Sequence, residues 1–283
     1  MYKCLESQNS IYIDKSPLGY IVKPCCLFRE KNGIHTVSDI KDINNNDYIK
    51  DIQNHFLKDD WKREECSHCI RNESLGKVSK RERSLERGNI GHIVSWDIRP
   101  GNTCNLKCIM CNPFNSSKWY EDIDLYNEFT YLTKANPKDI DRTGLDWDYI
   151  INNCLGKAKN IYIAGGEPFY MKNVQKFIEL LSKDTWNRKN TTIRIQTNGV
   201  SNNDKFLENL SKFDRLVFNI SIDGWGPVNE LIRYPTSHKT LIQNTNELYK
   251  ITNRKKTRFL NFNITAQCLN LPNLDKTYKK LES

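Results

Sequence analysis

From about residue 90 onward, short apolar runs alternate with longer stretches whose apolar residues recur at helical spacing. HIVSWDI (92–98), NIYIA (160–164), TTIRIQ (191–196), RLVFNISI (215–222) and FLNFNITAQ (259–267) read as strands. They are nearly continuously apolar, so both faces of each are expected to be buried. Helical spacing marks WYEDIDLYNEFTYL (119–132), DWDYIINNCLG (146–156), DKFLENLSKF (204–213), KTLIQNTNELYKI (239–251) and NLDKTYKKLE (273–282). In NVQKFIELLSK (173–183) it puts Val174, Phe177, Ile178 and Leu181 on one face. Strands alternating with helices predict a parallel sheet. Five such units predict an α/β fold, an open, partial (β/α)5-6 barrel of TIM-like kind. In such sheets the chemistry gathers at the C-terminal ends of the strands.

The first 88 residues follow another pattern. SIYID (10–14) and YIVKP (20–24) flank SPLG (16–19), which predicts a β-hairpin. Cys4 precedes it and Cys25-Cys26 follow it, so the antiparallel return brings these thiols together. The stretch 39–61 is helical in part, with Ile49, Ile52 and Phe56 on one face, and CSHC then supplies Cys66 and Cys69. Residues 1–88 are expected to form a small cysteine-rich domain of hairpin plus helix, and 89–283 the larger α/β unit.

Composition narrows the reading. The 283 residues are 38% apolar with six Trp, 13 Tyr and 11 Phe, enough for a core and against wholesale disorder. No run of about 18 apolar residues is present, and MYKCLESQNS lacks a secretory apolar stretch, which points to a reducing cytoplasm and no membrane. Ten cysteines there suggest metal or catalysis before disulfides. Cys154, on a helix face with Ile150 and Ile151, and Cys268, at the end of the last strand, read as buried small hydrophobes. The formal net charge is +9, with basic runs at 77–87 and 253–258. These read as solvated faces, or as surfaces for an acidic peptide, a phosphorylated metabolite or RNA.

The ends of the strands carry the candidate chemistry. Cys104, Cys108 and Cys111 follow the first; Gly165, Gly166, Glu167 and Pro168 the second; Gln196 to Gly199 the third; Ser221, Asp223 and Gly224 the fourth. Asn-Gly and Asp-Gly are turn signals singly, but four polar sets on consecutive strands exceed what turns require. Over residues 90–283 this constellation resembles the radical S-adenosylmethionine (SAM) superfamily, through Cys-x3-Cys-x2-Cys and Gly-Gly-Glu-Pro. The resemblance implies that three thiolates hold three irons of a [4Fe-4S] cluster and leave the fourth iron for SAM. It further implies reductive cleavage of SAM to a 5'-deoxyadenosyl radical that takes hydrogen from a substrate. Gly165, Gly166 and Glu167 are then expected at the methionyl ammonium, with Pro168 fixing the turn. Ser221, Asp223 and Asn198 fall at the ribose or methionyl end, and Met110 stands where an aromatic often covers adenine. Arg233 either pairs with the SAM carboxylate or forms a surface ion pair.

Four thiols at Cys4, Cys25, Cys66 and Cys69 suit either zinc or a second cluster. Cys25 and Cys26 point to opposite faces of an extended segment, and Cys25 is taken as the ligand. Beside a radical SAM core, the segment resembles a twitch domain with an auxiliary [4Fe-4S] cluster, here N-terminal to the core. The expected function is modification of a substrate, a peptide or protein side chain, with flavodoxin or ferredoxin as electron donor. The rivals are a zinc-stabilised nucleic-acid-binding protein and a truncated, inactive relative. With no sixth strand-helix unit, FLNFNITAQ is expected at a bare edge, through either a shortened chain or a partner that completes the sheet.

Overall fold

The computed structural model describes residues 4–29, 36–56, 63–86, 91–130, 134–138, 140, 142 and 144–282. Its strands are β1 (Ser10–Ser16), β2 (Gly19–Lys23), β3 (Thr36–Val37), β4 (Ser95–Ile98), β5 (Asn160–Ile163), β6 (Thr192–Thr197), β7 (Arg215–Ser221) and β8 (Arg258–Asn263). They form one open sheet in the order β3-β2-β1-β4-β5-β6-β7-β8.

Strands β4 to β8 pair in parallel with their sequence neighbours, as the alternating pattern predicts. In one registered row Ile98, Ile163, Ile195 and Phe218 stand side by side, all fully buried. Trp96, Ile161, Ile193 and Leu216 form the next row. Helices Trp147–Cys154, Lys172–Lys183, Asp204–Ser211 and His238–Thr252 contribute to the same core. Helix Lys172–Lys183 buries Val174, Phe177, Ile178 and Leu181, the predicted face. Each such side chain contributes about 1.5–3 kcal/mol when fully buried.

The opposite face corrects the expectation of strands buried on both sides. There Asp97, Tyr162 and Arg194 are registered neighbours, and Gln196, Asn219 and Asn261 form the next row. Arg194, Asn261 and Asn263 are exposed. The strands alternate for most of their length, though in β7 the buried Val217 stands between Leu216 and Phe218.

The hairpin forms as predicted, with Ser16 opposite Gly19. Gly19 sits at φ +137°, and a Cβ there would lie 2.6 Å from the Val37 carbonyl oxygen. The hairpin also joins the main sheet: β1 pairs in parallel with β4, from Ser10↔Ser95 to Ile13↔Ile98. The sheet therefore has six parallel strands, not five, and the sixth comes from the N-terminus. Ile11 and Ile13 share one core with Ile98 and Ile163. The expected boundary between residues 88 and 89 lies outside the described residues, as do 57–61, 131–132 and Arg87.

At the other edge β8 has a neighbour on one side only, among the described residues. Cys154 is fully buried, as expected. Cys268 is exposed, which corrects its reading as a buried residue. Strand β8 stops at Asn263, and the chain leaves the sheet where Thr265 N donates to Asp223 Oδ1 at 2.7 Å. No helix among the described residues is long and apolar enough to cross a membrane.

Candidate functional site

Beyond β4 the chain enters a loop without regular structure, and its shape is set by hydrogen bonds from outside. Lys107 N donates to the Tyr234 carbonyl at 2.7 Å and Ile109 N to the Ile232 carbonyl at 2.8 Å. Ser116 Oγ donates to the Leu106 carbonyl at 2.5 Å, and Lys107 Nζ pairs with Asp122. So braced, Cys104, Cys108 and Cys111 line one pocket with Met110, Gly166, Gln196, Thr197, Asn198, Ser221 and Arg233. Burial pushes each of the three thiols up to about 11.

Gly165 and Gly166 carry the β5 end past this loop at φ +111° and +45°. Glu167 N donates to the Thr103 carbonyl at 2.8 Å, so the two loops touch through backbone. A Cβ on Gly166 would lie 2.3 Å from Thr103 O and 2.9 Å from Asn102 C, which leaves no room for a side chain. Gly166→Ala is expected to displace the cysteine loop and lower stability by more than the ~1–3 kcal/mol of ordinary overpacking. Thermal unfolding of the metal-free protein measures this; an unchanged Tm would refute the close approach.

The Glu167 carboxylate turns inward. Its Oε1 accepts from Phe169 N at 3.0 Å and Thr197 Oγ1 at 2.8 Å, and its Oε2 from Asn198 N at 2.7 Å. Burial pushes its pKa up to about 7 against these hydrogen bonds. Pro168 opens the short helical turn that follows. The carboxylate thus ties the ends of β5 and β6 together and leaves the loop backbone to face the pocket. Asn198 Nδ2 donates to Asn105 Oδ1 at 2.8 Å, joining β6 to the cysteine loop.

Asp223 is fully buried, so it does not line the pocket itself. Its Oδ2 meets Arg233 Nε at 2.7 Å, off the hydrogen-bond line, as a buried Coulombic pair. Arg233 thus forms an ion pair, but a largely buried one rather than one on the surface: its side chain is 11% exposed and Nη1 stands 3.8 Å from Cys108 Sγ. Ser221 Oγ accepts from Gln196 Nε2 at 2.7 Å at the pocket edge. Sequence reasoning missed Asn102, Asn229 and Asn270, the buried amides that hold these loops. Asn102 Nδ2 donates to the Pro113 and Ile140 carbonyls and to Tyr120 Oη. Asn229 Oδ1 and Asn270 Nδ2 hold the backbone of Asp223. For Asn102 and Asn229 only their places near the motifs hinted at this, and for Asn270, 47 positions from Asp223, no local signal did.

A second convergence lies under the hairpin. Cys4, Cys25, Cys66 and Cys69 line one cavity, with Phe28, Phe56, Lys80 and Arg81 in its wall. Cys26 is exposed and does not line it; Lys80 Nζ donates to its sulfur at 3.6 Å. Burial pushes Cys25 up to about 12 and raises Cys4 and Cys66, the latter also through Cys25, Cys4 and Cys69. Lys80 pairs with buried Glu6 at 3.5 Å, which corrects its reading as part of a solvated basic face. Among the described residues no three His, Cys, Asp or Glu meet closely enough for a single metal ion. Each thiol set lines one pocket, and its all-thiolate donors are of the kind that hold an iron-sulfur cluster or zinc.

A family model described as the radical SAM superfamily matches residues 98–264. No curated protein matches the chain. Among solved structures, the chain is similar to anSMEcpe with bound AdoMet and Cp18Cys peptide, at 19% identity and TM-score 0.43, over 65% of this chain and 46% of that one. It is also similar to SuiB of Streptococcus suis bound to S-adenosylmethionine, at 14% identity and TM-score 0.42, over 96% and 58%. With SuiB bound to precursor peptide SuiA the values are 15% and 0.41, over 100% and 61%. The chain spans about half the length of these structures.

Proposed function

Because the chain belongs to the radical SAM superfamily, we propose that it is a radical SAM enzyme acting on a peptide or protein side chain, with an auxiliary cluster in the N-terminal cavity. Cys104, Cys108 and Cys111 would hold a [4Fe-4S] cluster, which when bound would supply the one electron that cleaves SAM to methionine and the hydrogen-abstracting 5'-deoxyadenosyl radical. The observation that carries this reading is one pocket lined by three thiols from a single loop together with Gly166, Asn198, Ser221 and Arg233.

The chain's own residues then bind, orient and shield. The backbone oxygens of Gly165 and Gly166 accept from the methionyl ammonium. Arg233, aligned by buried Asp223, offers its remaining N–H groups to the carboxylate. Met110 covers adenine, and Ser221 and Asn198 border the ribose. Cys4, Cys25, Cys66 and Cys69 hold the auxiliary cluster, with Lys80 and Arg81 countering its negative charge. The polar sheet face suits a peptide: Asn261 Nδ2 donates to Asn219 Oδ1 and Asn263 Nδ2 to Gln196 Oε1, leaving open amide donors and acceptors. A flavodoxin or ferredoxin in a reducing cytoplasm completes the reading.

Anaerobic reconstitution, iron and sulfide counting, and incubation with SAM and a strong reductant test it. Roughly eight irons per chain with release of 5'-deoxyadenosine are expected. Zinc without iron, or iron without SAM cleavage, would refute it.

Cys66→Ala with Cys69→Ala is expected to lose the auxiliary cluster and destabilise the hairpin region, because metal binding there is folding free energy. SAM cleavage in the absence of substrate persists at a reduced level. Unchanged iron in the double variant would remove the N-terminal site from the account.

A further inference from the structure

Part of the lining of the N-terminal cysteine cavity comes from one continuous segment, residues 66–86. Cys66 and Cys69 lie near its start, and Lys80 and Arg81 face the cavity from its second helix, Lys80–Leu85. Its outer side carries Leu75, Val78 and Leu85 exposed at 59%, 59% and 38%. Arg71, Lys77 and Arg83 are exposed along the same segment, and among the described residues none of them pairs with a carboxylate. The acids of the segment are drawn inward. Glu73 takes Arg81 at 2.7 Å and Ser79 Oγ at 2.5 Å, and Glu82 closes a capping box on Ser79. Glu86 is the one fully exposed acid of the segment. Beyond the helix, a groove shares Glu6 and Lys80 with the cysteine cavity and continues over Arg83, Lys159 and Arg194.

We propose that this segment is the docking surface for a small acidic electron-carrier protein, which delivers its electron to the auxiliary cluster in the cavity that Cys66, Cys69, Lys80 and Arg81 of the segment help to line. The inference rests on the auxiliary-cluster reading above. The redox step is simple: one electron leaves the reduced carrier, the cluster gains it, and no atom is transferred. Apolar side chains set among unpaired cations match a protein interface with an apolar centre and a charged rim. A nucleic acid surface would instead present cations against phosphates with few exposed aliphatics. Arg83 lines the groove that shares Glu6 and Lys80 with the cavity, which sets one rim of the surface beside the cavity.

The test uses the full chain with its clusters reconstituted, and oxidised and reduced flavodoxin as the probe. The double variant Lys77→Glu with Arg83→Glu alters neither cysteine set nor the SAM pocket. It is expected to weaken flavodoxin binding, and to slow auxiliary-cluster reduction by reduced flavodoxin, about tenfold or more at low salt. The wild-type advantage should shrink as salt is raised. Iron content and reduction by dithionite should be unchanged. Leu75→Ala should weaken binding with no change in salt dependence. Equal flavodoxin affinity in wild type and charge-reversed protein overturns the proposal, as does displacement of flavodoxin by a short single-stranded RNA that binds more tightly. If the N-terminal cysteines hold no iron, the auxiliary-cluster reading fails on the iron count. Flavodoxin affinity then separately decides whether the surface docks the carrier.

Discussion

Alanine at Cys104, Cys108 or Cys111 is expected to abolish SAM cleavage and to remove about half of the roughly eight irons expected, with the proposed N-terminal cluster left in place. Each of the three thiols lines the pocket and none has a substitute within the loop, so a single replacement leaves a cluster with two protein attachments. The fold survives, because the loop is braced by the Tyr234 and Ile232 carbonyls and by Ser116, independently of the sulfur atoms. Iron and sulfide counts, circular dichroism and 5'-deoxyadenosine release separate these effects. Retained cleavage in any of the three variants would end the assignment.

Asp223→Ala is expected to be the most destabilising change outside the cysteines. The variant leaves the Arg233 guanidinium, held at 2.7 Å from the lost carboxylate, without its buried partner. Thr265 N loses its acceptor as well. Breaking a buried pair from one side costs about 3–5 kcal/mol, a downward Tm shift of roughly 10 °C for a chain of this size. Asp223→Asn keeps an oxygen for Thr265 N and should recover part of the loss, while SAM affinity stays low because Arg233 is no longer aligned. Denaturant titration of all three proteins, with SAM binding measured beside it, gives the answer. A loss under about 1 kcal/mol would mean that the pair behaves as an exposed one.

The strand order from β4 to β8 was legible because Ile, Val and Phe cluster in short runs between helical repeats. The cysteine loop and the Gly-Gly-Glu-Pro turn were legible because their spacing is local. What escaped was set by partners distant in sequence. TTIRIQ was read as an apolar run, yet Arg194 and Gln196 alternate with Ile193 and Ile195, and the polar face only acquires meaning beside Asn219 and Asn261. Nothing local in SIYID distinguishes a strand that ends a separate hairpin from one that pairs with β4. Glu167 and Asp223 were placed at the ligand by their motifs. Their carboxylates turn into the protein, where Glu167 accepts from the buried backbone donors of Asn198 and Phe169 and Asp223 from the part-buried N–H of Thr265. Lys80 looked like one cation in a basic run, and its burial depends on Glu6, 74 positions away.

The pairing of β1 with β4 has a consequence for the order in which the chain is assembled. Ser10 must wait for Ser95, 85 positions later, before its ladder closes. During synthesis the hairpin is complete long before that partner emerges, and domains take shape from the N-terminus. In the interval β1 presents an open row of backbone groups with Ile11 and Ile13 uncovered, the kind of edge that captures other chains. Closing the long loop adds only slowly to the entropic cost as its length grows, so the hazard is one of waiting time more than of final stability. Any metal that gathers Cys4, Cys25, Cys66 and Cys69 would act within that interval. It would fasten residues 4 to 69 into a folded unit before the strand that completes the sheet has been made.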